Sequence, residues 1–333
     1  MSTPAAVRFR SPADLAAHRQ AEQARNPVAA AGRRRILVCF GGSCLASGAR
    51  EVRDALRAAL KAEKLDREIA LIETGCMGPC VLGPVVLMGD DQTFYQGVKP
   101  ADAVDIVRLH ARDGKRVERL LVHDATGVKP YPCRSHLEFF TRQTQIVLRN
   151  CGWIDQQRID DAIARDAYAG LARVLEGMTP DAVIEELKRS GLRGRGGAGF
   201  PTWMKWNFTR NAAGDQKFVL CNADEGDPGA YMDRSVLEGD PHSVVEGMAI
   251  AAYAIGASQG YVYVRAEYPL AVERLQTAIG QARERGLLGD RILGTPFSFD
   301  LEIRMGSGAF VCGEETALIA SIEGRRGEPR PRP

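Results

Sequence analysis

The sequence lacks any long apolar run. The N-terminal stretch MSTPAAVRFRSPADLAAHRQ has no continuous apolar region of the kind that a secretory signal needs. The longest apolar stretch, from Met248 to Ala257, is too short and too rich in small residues to span a bilayer. We therefore expect a cytoplasmic protein that does not insert directly into a membrane.

The sequence also has no large excess of positive or negative charge. The 333 residues include 44 lysines and arginines and 42 aspartates and glutamates, so no overall basic field favours nucleic acid as a partner. The five histidines are dispersed, and no histidine-based metal site is visible. The length and the hydrophobic content of 45% predict a globular chain with about two domains.

The chain does contain eight cysteines, which in the absence of a secretory signal indicate metal or redox chemistry rather than disulfides. Four form two tight pairs, in CFGGSC and CMGPC, and each pair follows an apolar run, RILVC or IALIETGC. Glycine-rich turns can bend the chain so that both thiolates of a pair face one point. The paired cysteines are Cys39, Cys44, Cys76 and Cys80; the scattered ones, interpreted as structural, are Cys133, Cys151, Cys221 and Cys312, the last two inside the apolar strands FVLC and AFVC.

Around the pairs, the apolar pattern predicts the order β-α-β-β-β-α, a thioredoxin-like layout. Four thiolates suit zinc or an iron–sulfur cluster, and the spacings C-x4-C and C-x3-C do not exclude zinc. The two spacings within this fold order resemble the thioredoxin-like 2Fe-2S ferredoxin family. The resemblance implies a 2Fe-2S cluster, with zinc or inert buried thiols as the alternatives.

A second motif, GLRGRGGAGFPTWMKW, has glycines at the spacing G-x-G-x-x-G. A Rossmann fingerprint needs these glycines to follow a strand. Here TPDAVIEELKRSGL precedes them, with Thr179 able to cap a helix and Pro180 at its first position. A glycine loop after a helix can still let backbone amides approach an anion or a flat ring, and Arg193, Arg195 and Lys205 add positive charge. The alternative is a solvated surface loop.

Two acidic turns follow predicted strands further along the chain. The strand KFVLCNA, expected to be buried, runs into NADEGDPG at its C-terminal end, where open α/β sheets place ligands. A second strand in LEIRMGSGAFVCGEET precedes Glu314 and Glu315, which we place in the first turn of a helix, where acids are tolerated. Taken singly, each segment is also compatible with an ordinary polar turn.

Three segments together resemble the NADH-binding flavoprotein subunit of respiratory complex I and its relatives: GLRGRGGAGFPTWMKW, CNADEGDPGAYMDRSVLEGDPHSVVEGM and GSGAFVCGEETALIASIEGRRGEPRP. They look closest to the beta subunits of multisubunit NAD-linked hydrogenases and formate dehydrogenases. The implied fold class is α/β, with an N-terminal thioredoxin-like 2Fe-2S ferredoxin domain and a non-Rossmann α/β domain for FMN and NADH. We predict an N-terminal extension at 1–32, the 2Fe-2S domain at 33–118, a connector at 119–178 and the flavin domain at 179–333.

The resemblance implies site residues position by position. No side chain is expected to act as a general acid or base, because hydride passes directly between nicotinamide and flavin. Asp227 and Glu315 would orient the nicotinamide and ribose. FMN would be held by Gly194, Arg195, Gly196, Gly197, Lys205, Asn222, Asp224, Glu225, Gly313 and Glu314; NADH by Phe200, Lys205, Phe208, Asp227 and Glu315; and the cluster by Cys39, Cys44, Cys76 and Cys80.

The implied function is an NAD(H)-linked electron-entry module of the NADH dehydrogenase (diaphorase) type. Hydride transfer between NADH and FMN would be followed by one-electron transfer through iron–sulfur clusters, to or from partner subunits of a hydrogenase, a formate dehydrogenase or a complex I-like assembly. The alternatives are a 2Fe-2S electron carrier or assembly module whose flavin domain is too incomplete to catalyse, and a four-cysteine zinc protein.

The sequence departs from the family pattern in two places. Phe310 stands where complex I members usually have a tyrosine beside the flavin. The sequence ends at Pro333, before the segment that completes the FMN site in longer members and the domain that carries a 4Fe-4S cluster. We therefore expect either a fragment or a shortened chain that relies on a partner, and a 4Fe-4S cluster only in a longer chain.

Overall fold

The computed structural model describes residues 7–25, 34–124, 126–227 and 229–331, which divide into two compact units. We call residues 20–165 with 238–240 the cysteine-pair unit, and residues 1–19, 166–237 and 241–333 the glycine-loop unit. Among the residues described, no helix is both long enough and apolar enough to cross a membrane.

A four-stranded mixed sheet forms the centre of the cysteine-pair unit. Its strands are β1 (Arg35–Cys39), β2 (Ala70–Thr74), β3 (Val86–Met88) and β4 (Phe94–Tyr95), in the order β2-β1-β3-β4. β1 is parallel to β2 and antiparallel to β3, and β3 is antiparallel to β4. Every residue of β1 is buried, as its central position requires. A separate two-stranded ribbon consists of β5 (Val122–His123) and β6 (Pro130–Tyr131).

The helices of this unit are α1 (Pro12–Arg25), part of which belongs to the other unit, α2 (Gly42–Ala46), α3 (Ala49–Ala62), α4 (Ala103–Asp105), α5 (Glu138–Thr141) and α6 (Ile159–Ala164). Two of them, α3 and α4, lie where the apolar pattern predicts helices. α3 is amphipathic and buries Val52, Leu56 and Leu60. α4 belongs to a helical segment that starts at Pro100 and ends in a π-helical stretch, Ile106–Arg112. The predicted order β-α-β-β-β-α is confirmed.

A three-stranded parallel sheet organises the glycine-loop unit. Its strands are β7 (Phe218–Ala223), β8 (Gln259–Arg265) and β9 (Asp300–Gly306), in that order. α11 and α12 pack against each other and against the sheet, and Val262 and Val264 of β8 are fully buried. The C-terminal ends of the parallel strands meet at one edge, here called the C-terminal edge. The helices of this unit are α7 (Ala169–Gly177), α8 (Pro180–Ser190), α9 (Thr202–Asn211), α10 (Met232–Gly239), α11 (Pro241–Ile255), α12 (Pro269–Arg285) and α13 (Glu315–Ile322).

Two details of the sequence-based expectations are wrong. β7 is a strand, but Phe218 and Leu220 are 41% and 37% exposed, because β7 lies at the edge of its sheet rather than in the centre. Cys312 is buried in a 3-10 turn, Phe310–Gly313, and not in a strand.

The predicted domain boundaries stay predictions. The compact units place residues 119–165 with the cysteine pairs and residues 166–178 with the glycine loop. Of the predicted N-terminal extension, residues 1–6 and 26–32 lie outside the described ranges.

Candidate functional sites

The four paired cysteines form a continuous group at the end of the cysteine-pair sheet. Cys39 ends β1 opposite Thr74 of β2, so Cys76, two residues after β2, lies just beyond this pair. The Cys39 thiol is hydrogen-bonded to Cys44 and Cys76. The sulfurs of Cys76 and Cys80 are 3.6 Å apart. The structure therefore brings all four predicted ligands together.

Glycines allow this close approach, as the sequence predicts. A Cβ on Gly41 would lie 2.7 Å from Cys76 Cβ, and a Cβ on Gly83 would lie 2.9 Å from Cys44 Sγ. Gly78 has a φ of +111°, in the left-handed region that favours glycine. A side chain at Gly41 or Gly83 would push a cysteine out of the group.

The thiols differ in burial and in proton affinity. Cys39 and Cys44 are buried, whereas Cys80 is exposed. The hydrogen bond with Cys44 raises the pKa of Cys39 to about 12, and burial raises the pKa of Cys80 to about 11. A metal centre takes these groups as thiolates, so loading of the site would release protons.

The donor set fits a [2Fe-2S] cluster, which four thiolates hold. Within the described ranges, no three Cys, His, Asp or Glu side chains surround a single metal position. The sulfurs instead meet in successive pairs, Cys44 with Cys39, Cys39 with Cys76 and Cys76 with Cys80. Four thiolates also hold structural zinc, so the donor set fits both kinds of centre.

In the other unit, the glycine loop follows a helix. Thr179 Oγ1 accepts a hydrogen bond from the backbone N–H of Ala182, and Pro180 is the first residue of α8. α8 ends at Gly191 in the left-handed conformation. This context confirms that the motif is not a Rossmann fingerprint.

Hydrogen bonds within the loop close it, while its outer side stays open. The Gly194 N–H donates to the Phe200 carbonyl at 2.8 Å, and the Arg193 guanidinium donates to the Gly199 carbonyl at 3.0 Å. A Cβ on Gly197 would meet no atom within 4 Å, yet its φ of +102° favours glycine. The loop therefore has a defined backbone that a ligand can approach.

Three predicted flavin residues meet at the C-terminal edge. Asn222 Nδ2 donates to the Gly313 carbonyl at 2.8 Å, and Asn222 Oδ1 accepts from the Asp224 N–H at 3.2 Å. A Cβ on Gly313 would lie 3.3 Å from Asp224 O, so glycine lets the two loops approach each other. The loop after β7 and the turn after β9 thus form one surface.

The buried carboxylate of Asp224 lacks hydrogen-bond donors among the described residues. The residue is 7% exposed, and among the described residues neither carboxylate oxygen has a hydrogen-bond partner. Burial raises the pKa of this carboxyl group above its usual range. A buried carboxylate without partners is costly, and a ligand that donates hydrogen bonds would remove that cost. FMN, with its ribityl hydroxyls and ring N–H, fits this requirement.

Two other predicted flavin residues cap helices. The Glu225 carboxylate accepts hydrogen bonds from the backbone N–H groups of Met232, Asp233 and Arg234 in the first turn of α10. Glu314 caps α13 in the same way. Both carboxylates therefore stabilise the helices beside the edge, and their contact with FMN stays a prediction.

The predicted nucleotide residues lie on exposed surface. Lys205 Nζ and Glu315 Oε2 are 3.3 Å apart and link α9 to α13. Because both side chains are largely exposed, this ion pair contributes little to stability, and a ligand could break it at low cost. Phe200 and Phe208 are 46% and 58% exposed and could stack on a flat ring. The other exposed residues of the predicted site are Gly194, Arg195, Gly196, Gly197, Asn222 and Asp227.

Sequence reasoning missed the end of the central strand. Arg265 ends β8, and Tyr268 follows it. Arg265 Nη1 and Tyr268 OH both donate to the Glu225 carbonyl, at 3.4 and 3.0 Å. The sequence contains a pattern that predicts this site residue: YVYVRAEY is an apolar strand followed by polar residues, like the strands in KFVLCNA and LEIRMGSG.

Comparison with known families assigns both parts of the chain. Residues 26–110 match the family described as thioredoxin-like [2Fe-2S] ferredoxin, and residues 187–333 match the one described as Nuo51 FMN-binding domain. The chain joins a [2Fe-2S] ferredoxin domain to an FMN-binding domain. The expected fold class and the expected cofactors FMN and 2Fe-2S are confirmed, and the match favours the cluster over zinc.

Curated proteins match somewhat more than half of the chain. The NADP-reducing hydrogenase subunit HndC of Solidesulfovibrio fructosivorans is 63% identical over 192 residues, which are 58% of this chain and 39% of HndC. An NADH-quinone oxidoreductase subunit of Escherichia coli (strain K12) is 46% identical over 182 residues, which are 54% of this chain and 40% of that protein. The chain thus spans about two fifths of the length of these relatives.

Two solved structures also match this chain, with low TM-scores. An NAD+-reducing [NiFe]-hydrogenase in the air-oxidized state matches with a TM-score of 0.45 and 26% identity, over 100% of this chain and 57% of the other. A thioredoxin-like [2Fe-2S] ferredoxin from Aquifex aeolicus matches with a TM-score of 0.27 and 34% identity, over 28% of this chain and 94% of the other.

Proposed function

We propose that this chain is an NAD(H)-linked electron-entry module of the NADH dehydrogenase (diaphorase) type. It transfers hydride between NADH and FMN and exchanges single electrons, through its [2Fe-2S] cluster, with a partner redox subunit. The observation that carries the proposal is the presence of an FMN-binding domain and a [2Fe-2S] ferredoxin domain in one chain. When bound, FMN supplies the chemistry that links the two, because a flavin exchanges electrons both in pairs and singly.

The C-terminal edge would bind the flavin. Asp224 offers two buried acceptor oxygens that lack partners among the described residues. Asn222 and Gly313 hold the two loops together beside it. The glycine loop at 194–197 would let backbone amides and the Arg195 side chain approach the ring or the phosphate. Glu225 and Glu314 would support this site through the helices that they cap.

The exposed aromatic and charged residues would bind the nucleotide. Phe200 and Phe208 would stack on its rings, and Asp227 and Glu315 would orient the nicotinamide and ribose by accepting hydrogen bonds. Lys205 would exchange its contact with Glu315 for one with FMN or NADH. These side chains position the reactants, and the cofactors supply the reactivity.

The four paired cysteines would hold the cluster. Cys39 and Cys44 are buried, so the protein shields that side of the group from water. Cys80 is exposed, and the cluster edge at Cys80 would therefore be the side that a partner protein can approach.

The names of the relatives suggest the kind of partner. HndC is a subunit of an NADP-reducing hydrogenase, and the Escherichia coli relative is a subunit of an NADH-quinone oxidoreductase. We infer that this chain works with other iron–sulfur and catalytic subunits of a multisubunit redox complex. The two names differ in the nucleotide, and the acids Asp227 and Glu315 would favour NAD(H) if they face the ribose, because they would repel a 2′-phosphate.

An anaerobic titration tests the proposal. The chain is reconstituted with FMN, iron and sulfide, and NADH is added while the flavin absorbance and the electron paramagnetic resonance (EPR) signal of the reduced cluster are followed. Bleaching of the flavin together with appearance of the EPR signal supports the proposal. A protein that holds the cluster but binds no FMN would contradict it and would favour the electron-carrier alternative.

A matched pair of variants tests the nucleotide site. Glu315→Gln should raise KM for NADH and leave FMN affinity unchanged, because this carboxylate is assigned to the nucleotide and not to the flavin. Glu323→Gln, just beyond the end of α13, removes an equivalent exposed charge and should change neither. Equal KM values for the two variants would show that Glu315 does not contact NADH.

A further inference from the structure

The end of β8 lies between the two loops that carry the predicted flavin residues. β8 is the central strand, with β7 on one side and β9 on the other. Arg265 is its last residue, and the Arg265 side chain is only 14% exposed. An arginine in this position brings a positive charge to the middle of the C-terminal edge.

Arg265 and its neighbours fix the loop after β7. The Glu225 carbonyl accepts hydrogen bonds from both Arg265 Nη1 and Tyr268 OH. A Cβ on Gly226 would lie 3.2 Å from Arg265 Nη1 and 2.7 Å from the ring of Phe310, so the guanidinium packs directly against this loop. The position of the Glu225 backbone therefore depends on the end of β8.

Two charged side chains at this edge have buried polar atoms without hydrogen-bond partners among the described residues. Arg265 Nη2 donates to Glu267 Oε1 at 2.8 Å, whereas Arg265 Nε is buried and has no partner within the described ranges. The nearby Asp224 carboxylate also lacks partners there. Arg265 lowers the pKa of Asp224 and Glu267 raises it, both by smaller amounts than burial does. Two buried groups of opposite charge thus face one edge, each with unused hydrogen-bonding capacity.

We infer that Arg265 is a positioning residue of the proposed flavin site: it holds the loop that carries Asp224 and Asp227, and it supplies a positive charge that favours reduced over oxidised FMN. The inference rests on the proposed function. Its physical basis is that reduction makes the flavin more negative, and that a charge near a partly buried site is weakly screened.

Variants that remove or keep the positive charge of Arg265 should differ in how strongly they bind reduced and oxidised FMN. Arg265→Gln should weaken binding of reduced FMN about tenfold more than binding of oxidised FMN, which lowers the flavin midpoint potential by about 30 mV for a two-electron couple. Arg265→Lys keeps the charge and should restore most of the difference. Arg304→Gln, on β9 beside Glu302, is the matched control and should leave the potential unchanged. FMN fluorescence gives the two affinities, and a redox titration gives the potential.

The pH dependence separates charge from packing. The titratable and charged groups facing this guanidinium are Asp224, Glu267 and Tyr268. Without Arg265, the pKa of Asp224 rises, and protonation of Asp224 at acidic pH removes a negative charge in turn. The effect of Arg265→Gln should therefore be smaller at acidic pH, where Asp224 is protonated, than at alkaline pH. Tyr268→Phe removes a donor to Glu225 without changing charge, and should weaken binding of both flavin forms equally.

Two results would overturn the inference: equal weakening of both flavin forms by Arg265→Gln, or no weakening at all. If Arg265→Gln does not fold, Glu267→Gln provides the test with opposite sign, because loss of this carboxylate should raise the potential. Failure of the wild-type protein to bind FMN would instead contradict the proposed function, so the two failures are distinguishable.

Discussion

Replacement of Glu225 by alanine should destabilise the FMN-binding domain even without FMN. The residue is 8% exposed. Its Oε1 accepts from the Asp233 N–H at 3.1 Å, and its Oε2 accepts from the Arg234 N–H at 3.0 Å, so both oxygens stabilise the start of α10. Loss of a helix cap costs about 0.5–2 kcal/mol, and loss of a negative charge at a helix N-terminus adds about 0.3–1 kcal/mol. We expect a total of about 2 kcal/mol.

Thermal denaturation of the apoprotein measures this effect. For a unit of this size, about 2 kcal/mol corresponds to a decrease in Tm of about 4–8 °C. Glu225→Gln keeps one acceptor oxygen and should lose roughly half as much. Glu273→Ala, at an exposed position of α12, is the control and should change stability by less than about 0.5 kcal/mol. If Glu225→Ala denatures at the same temperature as Glu273→Ala, the capping role is refuted.

Three further substitutions probe other strained or buried positions. Burial raises the pKa of Asp155 to about 6, so stability should fall by at most about 3 kcal/mol as pH rises from about 4 to about 6; Asp155→Asn should abolish this slope in urea denaturation. Gly75→Ala should lower the free energy of unfolding by about 1–3 kcal/mol, because a Cβ at position 75 would lie 2.5 Å from Gly239 Cα. Gly177→Ala is the control, because a Cβ there would meet no atom within 4 Å, and it should be neutral in the same assay. Asp224→Asn should stabilise the apoprotein at pH 8, because it removes a buried unpaired charge, and weaken FMN binding about tenfold in a fluorescence titration; unchanged FMN affinity would argue against the flavin site.

The cysteine site could be predicted from sequence because its signals are local. The pairs Cys39/Cys44 and Cys76/Cys80 each follow an apolar strand and contain the glycines that the turn needs. The parallel pairing of β1 with β2 then brings the two pairs together, and this pairing follows from the strand–helix–strand order. The helix before the glycine loop was predictable for the same reason, since Thr179 and Pro180 are local start signals.

The side-chain contacts of the proposed flavin site could not be predicted, because they join segments that are distant in sequence. No sequence pattern shows that the Glu225 carboxylate turns back to α10 or that the Glu225 carbonyl is held by Arg265 and Tyr268 from β8. The exposure of Phe218 was also unpredictable, because an apolar strand looks the same in sequence whether it lies at the centre or at the edge of a sheet.

The most direct test of the central claim is whether NADH reduces the cluster only through FMN. NADH is added anaerobically to protein that holds the cluster, once without FMN and once after FMN has been bound, and the EPR signal of the reduced cluster is recorded. We predict a signal only in the presence of FMN, because hydride must be converted to single electrons before the cluster can accept them. A signal of equal size without FMN would contradict the account.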